Sequence, residues 1–308
     1  MLYATPFITA YVLGVTAILG LCMGSFLNCM AWRISHGESV MRGRSHCATC
    51  GHPLAARDLI PVFSWLASHG RCRYCGQHIS ARYPATELVC MVAYVSIVMH
   101  YGLSLEAIEM LCFASILLVL SLTDLDNYII PNGCIIAAVV VRALYIVASG
   151  LLLGTDIVAM FVESLVGAAA VLVPLLLIVL VMDKVMKRDS MGGGDLKLFT
   201  VAGFYFGWQE CLFLIIAACI IGIVVAMVTL PRKQAEGPVA GQASADATHV
   251  NATHVDATRA DAAETASENR SDDTQLTRMI PFGPSIAIAC WITMLFGTAI
   301  NNWYLGLL

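Results

Sequence analysis

Residues 172–182 are apolar without exception, and they are only the densest part of a run that begins at Ile157. A segment apolar on every side has no face to offer water, and ~20 such residues wound as a helix cross the hydrocarbon core of a bilayer. The chain carries eight stretches of this kind, at 7–30, 85–101, 105–122, 133–152, 157–182, 196–206, 211–230 and 280–300. Strict alternation of apolar and polar residues, the signature of a membrane barrel, is absent from them. Hydrophobic residues make up 59% of the 308 and charged residues 12%, against roughly 45–50% and 25% in soluble domains. The expected fold is therefore an all-α polytopic membrane protein of about eight transmembrane helices. The sixth is the shortest, and without it the topology would invert beyond that point. No basic residue precedes the first segment and no small-residue cleavage site follows it, so it reads as a retained helix.

The 17 Lys and Arg residues fix an orientation. Arg33, Arg42, Arg44, Arg57, Arg71, Arg73 and Arg82 lie between segments one and two. Lys184, Lys187, Arg188 and Lys197 lie between five and six or just beyond, and the rest, apart from Arg142, lie between seven and eight. All these loops share one face, which the positive-inside rule makes cytoplasmic, with both termini on the other side. Arg142 sits inside segment four and Glu163 inside segment five. An isolated charge there costs at least ~2.5 kcal/mol, so the two are expected to pair across the helix interface.

The first cytoplasmic loop holds CATC at 47–50 and CRYC at 72–75. Each short turn offers two sulfurs to one metal, and the longer connection closes the set, so Cys47, Cys50, Cys72 and Cys75 are expected to bind a structural zinc ion. Their reducing face favours a metal over disulfides. His46, His52, His69 and His78 are substitute ligands in principle, but solvated loop residues are the simpler reading. The other cysteines read as packing residues within apolar segments. A second cytoplasmic stretch, about 234–277, is rich in Ala, Asp, Thr, Glu and Ser and reads as a disordered linker.

Two acidic motifs abut membrane helices on this same face: LTDLDNYIIPN at 122–132 and GGGDLK at 192–197. Topology puts Asp124 and Asp195 at one depth. Two facing carboxylates hold one shared proton, giving a base to activate water and an acid for the leaving amine, the needs of peptide hydrolysis without a metal. Gly192, Gly193 and Gly194 let an extended substrate backbone come close. By itself a glycine turn ending in Asp is also how ordinary helices start.

Seven ordered blocks together resemble the bacterial prepilin peptidases: GSFLNCMAWR (24–33), the paired cysteines, CGHPLAARDLIPVFSWL (50–66), GRCRYCGQHISARYPATE (70–87), DLDNYIIPN (124–132), GGGDLK (192–197) and IPFGPSIA (280–287). The resemblance carries the two catalytic roles onto Asp124 and Asp195, with Asp126 as rival to Asp124. It implies removal of a basic leader from prepilins or pseudopilins of type IV pili and type II secretion, at the cytoplasmic face of the inner membrane. It further implies N-methylation of the new N-terminus with S-adenosylmethionine. No GxGxxG marks a cofactor site, so by resemblance Gly24, Asn28, Arg33, Asp58, Glu87 and the zinc loop are the methylation-associated candidates, while Lys197 and the three glycines belong with the substrate. Glu87 reads equally as a helix-start acid, and Gly24 with Ser25 as close helix packing.

On this reading residues 1–31 form the first transmembrane helix and 32–84 a zinc-knuckle domain associated with methylation. Residues 85–230 are the protease core, 231–279 a disordered insert and 280–308 the last helix. The family usually has a short loop where the insert stands, so the insert is expected to be dispensable for cleavage. The partners are prepilins and the lipid bilayer, with no nucleic acid. Two other classes remain open, a membrane cation carrier using the paired carboxylates and a zinc-anchored assembly scaffold.

Overall fold

The computed structural model describes residues 5–40, 43–187, 191–235 and 281–306. Its principal helices are α1 (Pro6–Ser35), the short α2 (Phe63–Ala67), α3 (Arg82–Tyr101), α4 (Leu105–Asn127), α5 (Asn132–Leu153), α6 (Ile157–Met186), α7 (Gly193–Ala235) and α8 (Gly283–Leu305). The starts follow local chemistry. Thr5, Ser104 and Asp156 cap α1, α4 and α6 by accepting from first-turn amides, which satisfies donors that a helix leaves unpaired. Left-handed residues end α4 at Tyr128 and α5 at Gly154.

Seven of these helices are long and apolar enough to cross a bilayer, one fewer than the sequence suggested. The expected sixth and seventh segments run together as α7, broken at Gly207, where φ is 70° and ψ 177°. Continued straight from Asp195, an α-helix would carry Gly222 ~40 Å away. Instead a Cβ on Gly222 would meet the Phe282 ring at 2.4 Å, and the neighbouring Gly283 amide bonds Asp124. Gln209, just past the break, is hydrogen-bonded by Asn301 near the other end of α8. The chain therefore turns back at Gly207 and α7 is two antiparallel arms. The first arm, residues 193–206, is only ~21 Å long.

Of the seven, α4 is the most enclosed, with 56% of its most apolar stretch buried. It lies against α1, α3, α5 and α8, and its Phe113 stacks on Tyr205 of α7 with ring centroids 3.8 Å apart. Helices α1 and α3 approach closely at Gly24, where a Cβ would stand 2.7 Å from the Glu87 Cα. That is the packing reading of the block at 24–33. Cys90, Cys211 and Cys290 are core residues as expected, whereas Cys22, Cys112 and Cys219 lie on the exposed surface.

The expected partner of Arg142 is corrected. Arg142 Nη1 lies 3.1 Å from Glu109 Oε1 of α4, and Nε donates to Ser164 at 3.2 Å. Glu163 faces outward. Residues Ile223–Pro281 group as a separate unit. Of the expected insert, 231–235 continue α7, and 236–279 lie outside the described residues.

Candidate active site

Asp124 belongs to the last turn of α4 and is 5% exposed. Its Oδ2 accepts a 2.8 Å hydrogen bond from the Gly283 amide, the first residue of α8. A helix N-terminus carries unpaired N–H groups and partial positive charge, so α8 presents a carboxylate partner without using any side chain. The approach leaves no room for a Cβ on Gly283, which would lie 2.8 Å from that same oxygen. Gly283→Ala is expected to displace Asp124 and slow turnover ~10²-fold, as ~1 Å misplacements of reacting groups do, with unchanged membrane insertion. Rates on intact and pre-inserted protein check it.

Asp195 stands in the first turn of α7, half-buried, close enough to Asp124 to interact with its charge. Other contacts between the two motifs bring it there. Gly194 packs against Ile130 with no room to spare, a Cβ meeting its side chain at 3.0 Å. Lys197 Nζ donates to Asn132 Oδ1 at 2.9 Å. The Gly192 carbonyl accepts from the Asp195 amide at 3.1 Å and so opens the helix. Gly193 is exposed and has open space where a Cβ would project. Asp126, two residues from Asp124, is engaged elsewhere: both its oxygens are held by the Arg82 guanidinium. Sequence alone gave neither Gly283 nor Arg82 a contact with these acidic motifs, although they lie in the blocks at 280–287 and 70–87.

The four cysteines converge. Their sulfurs all lie within 4.8 Å of one another, Cys47 and Cys75 at 4.0 Å. A tetrahedral zinc with ~2.3 Å bonds to sulfur places its ligands ~3.8 Å apart, so the set fits the ion after a small contraction. Two copies of one backbone unit build it. Cys47 N donates to the His52 carbonyl and Cys72 N to Gln77, while Leu54 N pairs with Ser45 and Ile79 N with Gly70. Gly51 and Gly76 follow the second cysteine of each turn at φ 69° and 72°. The Cys47 thiol is pushed down to about 6, chiefly by the Cys50 amide and then by the Thr49 amide. That favours the thiolate a metal requires. Chelation, or Cys72→Ser, is expected to abolish bound zinc and lower the midpoint of thermal unfolding, read by metal analysis and calorimetry.

Above this module lies a cavity of about 700 Å³, walled among others by Ser25, Arg33, Asp58, Trp65, Tyr74 and Glu87. Burial works against the charge of Asp58, but the Tyr74 hydroxyl, the Ala55 amide and Arg73 together hold its carboxyl below the usual range. Glu87 Oε2 accepts the Val62 amide at 2.6 Å. Val62 itself has φ 61°, and the Phe63 amide bonds back to Pro61 across it, a strained γ-turn for a β-branched residue. Glu87 thus fastens the cavity rim to α3. Asn28 does not line the cavity; its Nδ2 donates to Thr86 at 3.0 Å and ties α1 to α3.

Fold and site together define a polytopic membrane protein with an acid pair at one end of its bundle, beside a four-cysteine module. Residues 18–101 match the Bacterial Peptidase A24 N-terminal domain and 111–227 the Type IV leader peptidase family. The Prepilin leader peptidase/N-methyltransferase of Bacillus subtilis (strain 168) is 34% identical over 195 residues, covering 63% of this chain and 74% of that protein. Proteins of the same name from Myxococcus xanthus (strain DK1622) and Pseudomonas putida are 35% and 28% identical over 221 and 318 residues. These alignments cover 72% and 94% of this chain, and 64% and 93% of the relatives. The chain belongs to the type IV leader peptidase family. No solved structure matches it.

Proposed function

We propose that this chain cleaves the leader of prepilins or pseudopilins at the cytoplasmic face of the inner membrane, using Asp124 and Asp195, and methylates the new N-terminus. What supports the reading is that two motifs distant in sequence touch, Gly194 against Ile130 and Lys197 on Asn132, with Asp124 buried against the Gly283 amide. An amide only donates, so Asp124 Oδ2 meets Gly283 as an acceptor. The proton of the pair then rests on Asp195 or on the other oxygen of Asp124. One carboxylate takes a proton from water as its oxygen attacks the scissile carbonyl carbon. The protonated partner gives its proton to the departing nitrogen as the C–N bond breaks. The open space at Gly193 leaves a place for the substrate backbone.

Orientation follows from Arg33 and Arg82, which sit at the acid-bearing end of the bundle. The arginine-rich face being cytoplasmic, both termini lie outside. Zinc in the cysteine set would serve structure, since all four ligand positions are filled by protein.

S-adenosylmethionine brings an activated sulfonium methyl group. The cavity's volume suits a cofactor of that size. Its aromatic walls at Trp65 and Tyr74 and the anionic Asp58 suit a base and a cation. Residues around it would hold the donor while the neutral amine is brought in line. Mass spectrometry of a prepilin incubated with the membrane-inserted protein and S-adenosylmethionine tests both activities at once. The expected product lacks its leader and carries one extra methyl. An intact prepilin overturns the protease reading, and a cut but unmethylated one overturns the second activity.

A further inference from the structure

The clasp between Arg82 and the end of α4 has no part in the chemistry just described. We propose that Arg82 is a positioning residue for the proteolytic pair, fixing the turn that carries Asp124; the inference rests on the protease reading. Asp124 lies three residues from the end of α4, where backbone carbonyls run out of intrahelical partners and helices fray. Proton sharing between two carboxylates, by contrast, demands placement within ~0.5 Å. Something must therefore hold this turn.

The guanidinium does so at two points. It binds both oxygens of Asp126, and its Nη2 also donates to the Leu122 carbonyl at 3.1 Å. Leu122 and Asp126 bracket Asp124, two positions before and two after, so the fork grips the helix on either side of the acid. The adjacent Asn127 adds a tie to the Ser35 carbonyl of α1 at 3.2 Å. Lysine carries no planar fork and cannot reproduce this set. The anchor end is itself fixed. Arg82 is the first residue of α3, and one turn further Thr86 receives Asn28 of α1 while Glu87 holds the Val62 amide. It also follows closely on the second cysteine knuckle, whose Ile79 amide bonds Gly70.

With side-chain exposures of 38% and 28%, Arg82 and Asp126 form a partly solvated pair whose contribution to overall stability is small. Their effect is expected in turnover rather than in folding. The test compares Arg82→Ala, Arg82→Lys, Asp126→Asn and the double Arg82→Ala/Asp126→Asn in detergent-solubilised full-length protein. The readouts are kcat and KM for prepilin cleavage, methyl transfer to a pre-cut pilin, and bound zinc. Arg82→Ala is expected to lower kcat ~10–100-fold with KM changed less than ~3-fold, because substrate binding is intact while the acid is misplaced. Arg82→Lys should fall between it and the parent. The double variant should be no slower than Arg82→Ala, since both changes break one clasp. Methyl transfer and zinc content should be unchanged.

A kcat equal to the parent's in Arg82→Ala, or additive losses in the double variant, overturns the proposal while leaving the protease reading intact. Loss of zinc in both Arg82→Ala and Asp126→Asn assigns the pair to folding and equally overturns it. A parent protein that cuts no prepilin removes the protease reading and this inference with it.

Discussion

Asp124→Asn and Asp195→Asn are each expected to slow prepilin cleavage by ~10³–10⁴-fold, with the protein still inserted and its cysteine knuckles formed. The substitution preserves shape. Asn at 124 still presents an oxygen to the Gly283 amide, which stands 2.8 Å from the native carboxylate, so the end of α4 keeps its place. An amide neither accepts a proton from water nor delivers one to a leaving nitrogen, and only the chemistry is lost. On the paired-acid mechanism proposed above, the double variant should be no slower than either single. Asp126→Asn should lie well above both, since Asp126 spends its oxygens on Arg82. The check is a time course of leader removal in membranes, with calorimetry and zinc content as controls for folding. A rate above ~10% of the parent's in Asp195→Asn would refute the paired-acid mechanism, since general acid–base help is worth far more than that.

The sequence made these acids visible because the constraints on them are not tertiary. Apolar runs declare membrane helices whatever their neighbours, and counting passes between basic loops puts Asp124 and Asp195 at one end. Spacing likewise exposed Cys47, Cys50, Cys72 and Cys75, since a metal set needs only short turns and a linker. What stayed hidden depends on backbone donors or on which helices are neighbours. Gly283 matters through an N–H group and a missing Cβ, and a letter in a sequence does not show where its amide points. Gly207 stands just past the short sixth segment, where its letter does not show the positive φ that reverses the chain. Arg82 passed as a loop arginine among seven, because its partner lies on a helix that only folding brings near.

The misassigned partner of Arg142 leads to the second large effect. Glu163 was the nearest acid on the following helix, but α5 also packs on α4, and Glu109 there lies almost wholly enclosed, its side chain 1% exposed against 14% for Arg142. Tyr145 and Tyr205 rings flank the guanidinium at 5.5 and 5.6 Å. Breaking such a pair leaves one buried charge alone and typically costs ~3–5 kcal/mol, whereas replacing both partners with apolar groups of similar volume is near neutral or stabilising. Arg142→Met is therefore expected to lower the thermal midpoint sharply, and Glu109→Leu/Arg142→Met to restore most of the loss. Glu163→Ala, on an exposed site, should stay within ~0.5 kcal/mol of the parent. Equal losses at Glu163 and Arg142, or a double variant as unstable as Arg142→Met, would refute the assignment. Glu109 also lies ~22 Å along α4 from Asp124, so whatever Arg142→Met protein remains folded should cleave at the parent's kcat. That separation bears on the carrier alternative. Glu109 is already neutralised by a fixed guanidinium, so it does not extend an anionic path outward from the acid pair.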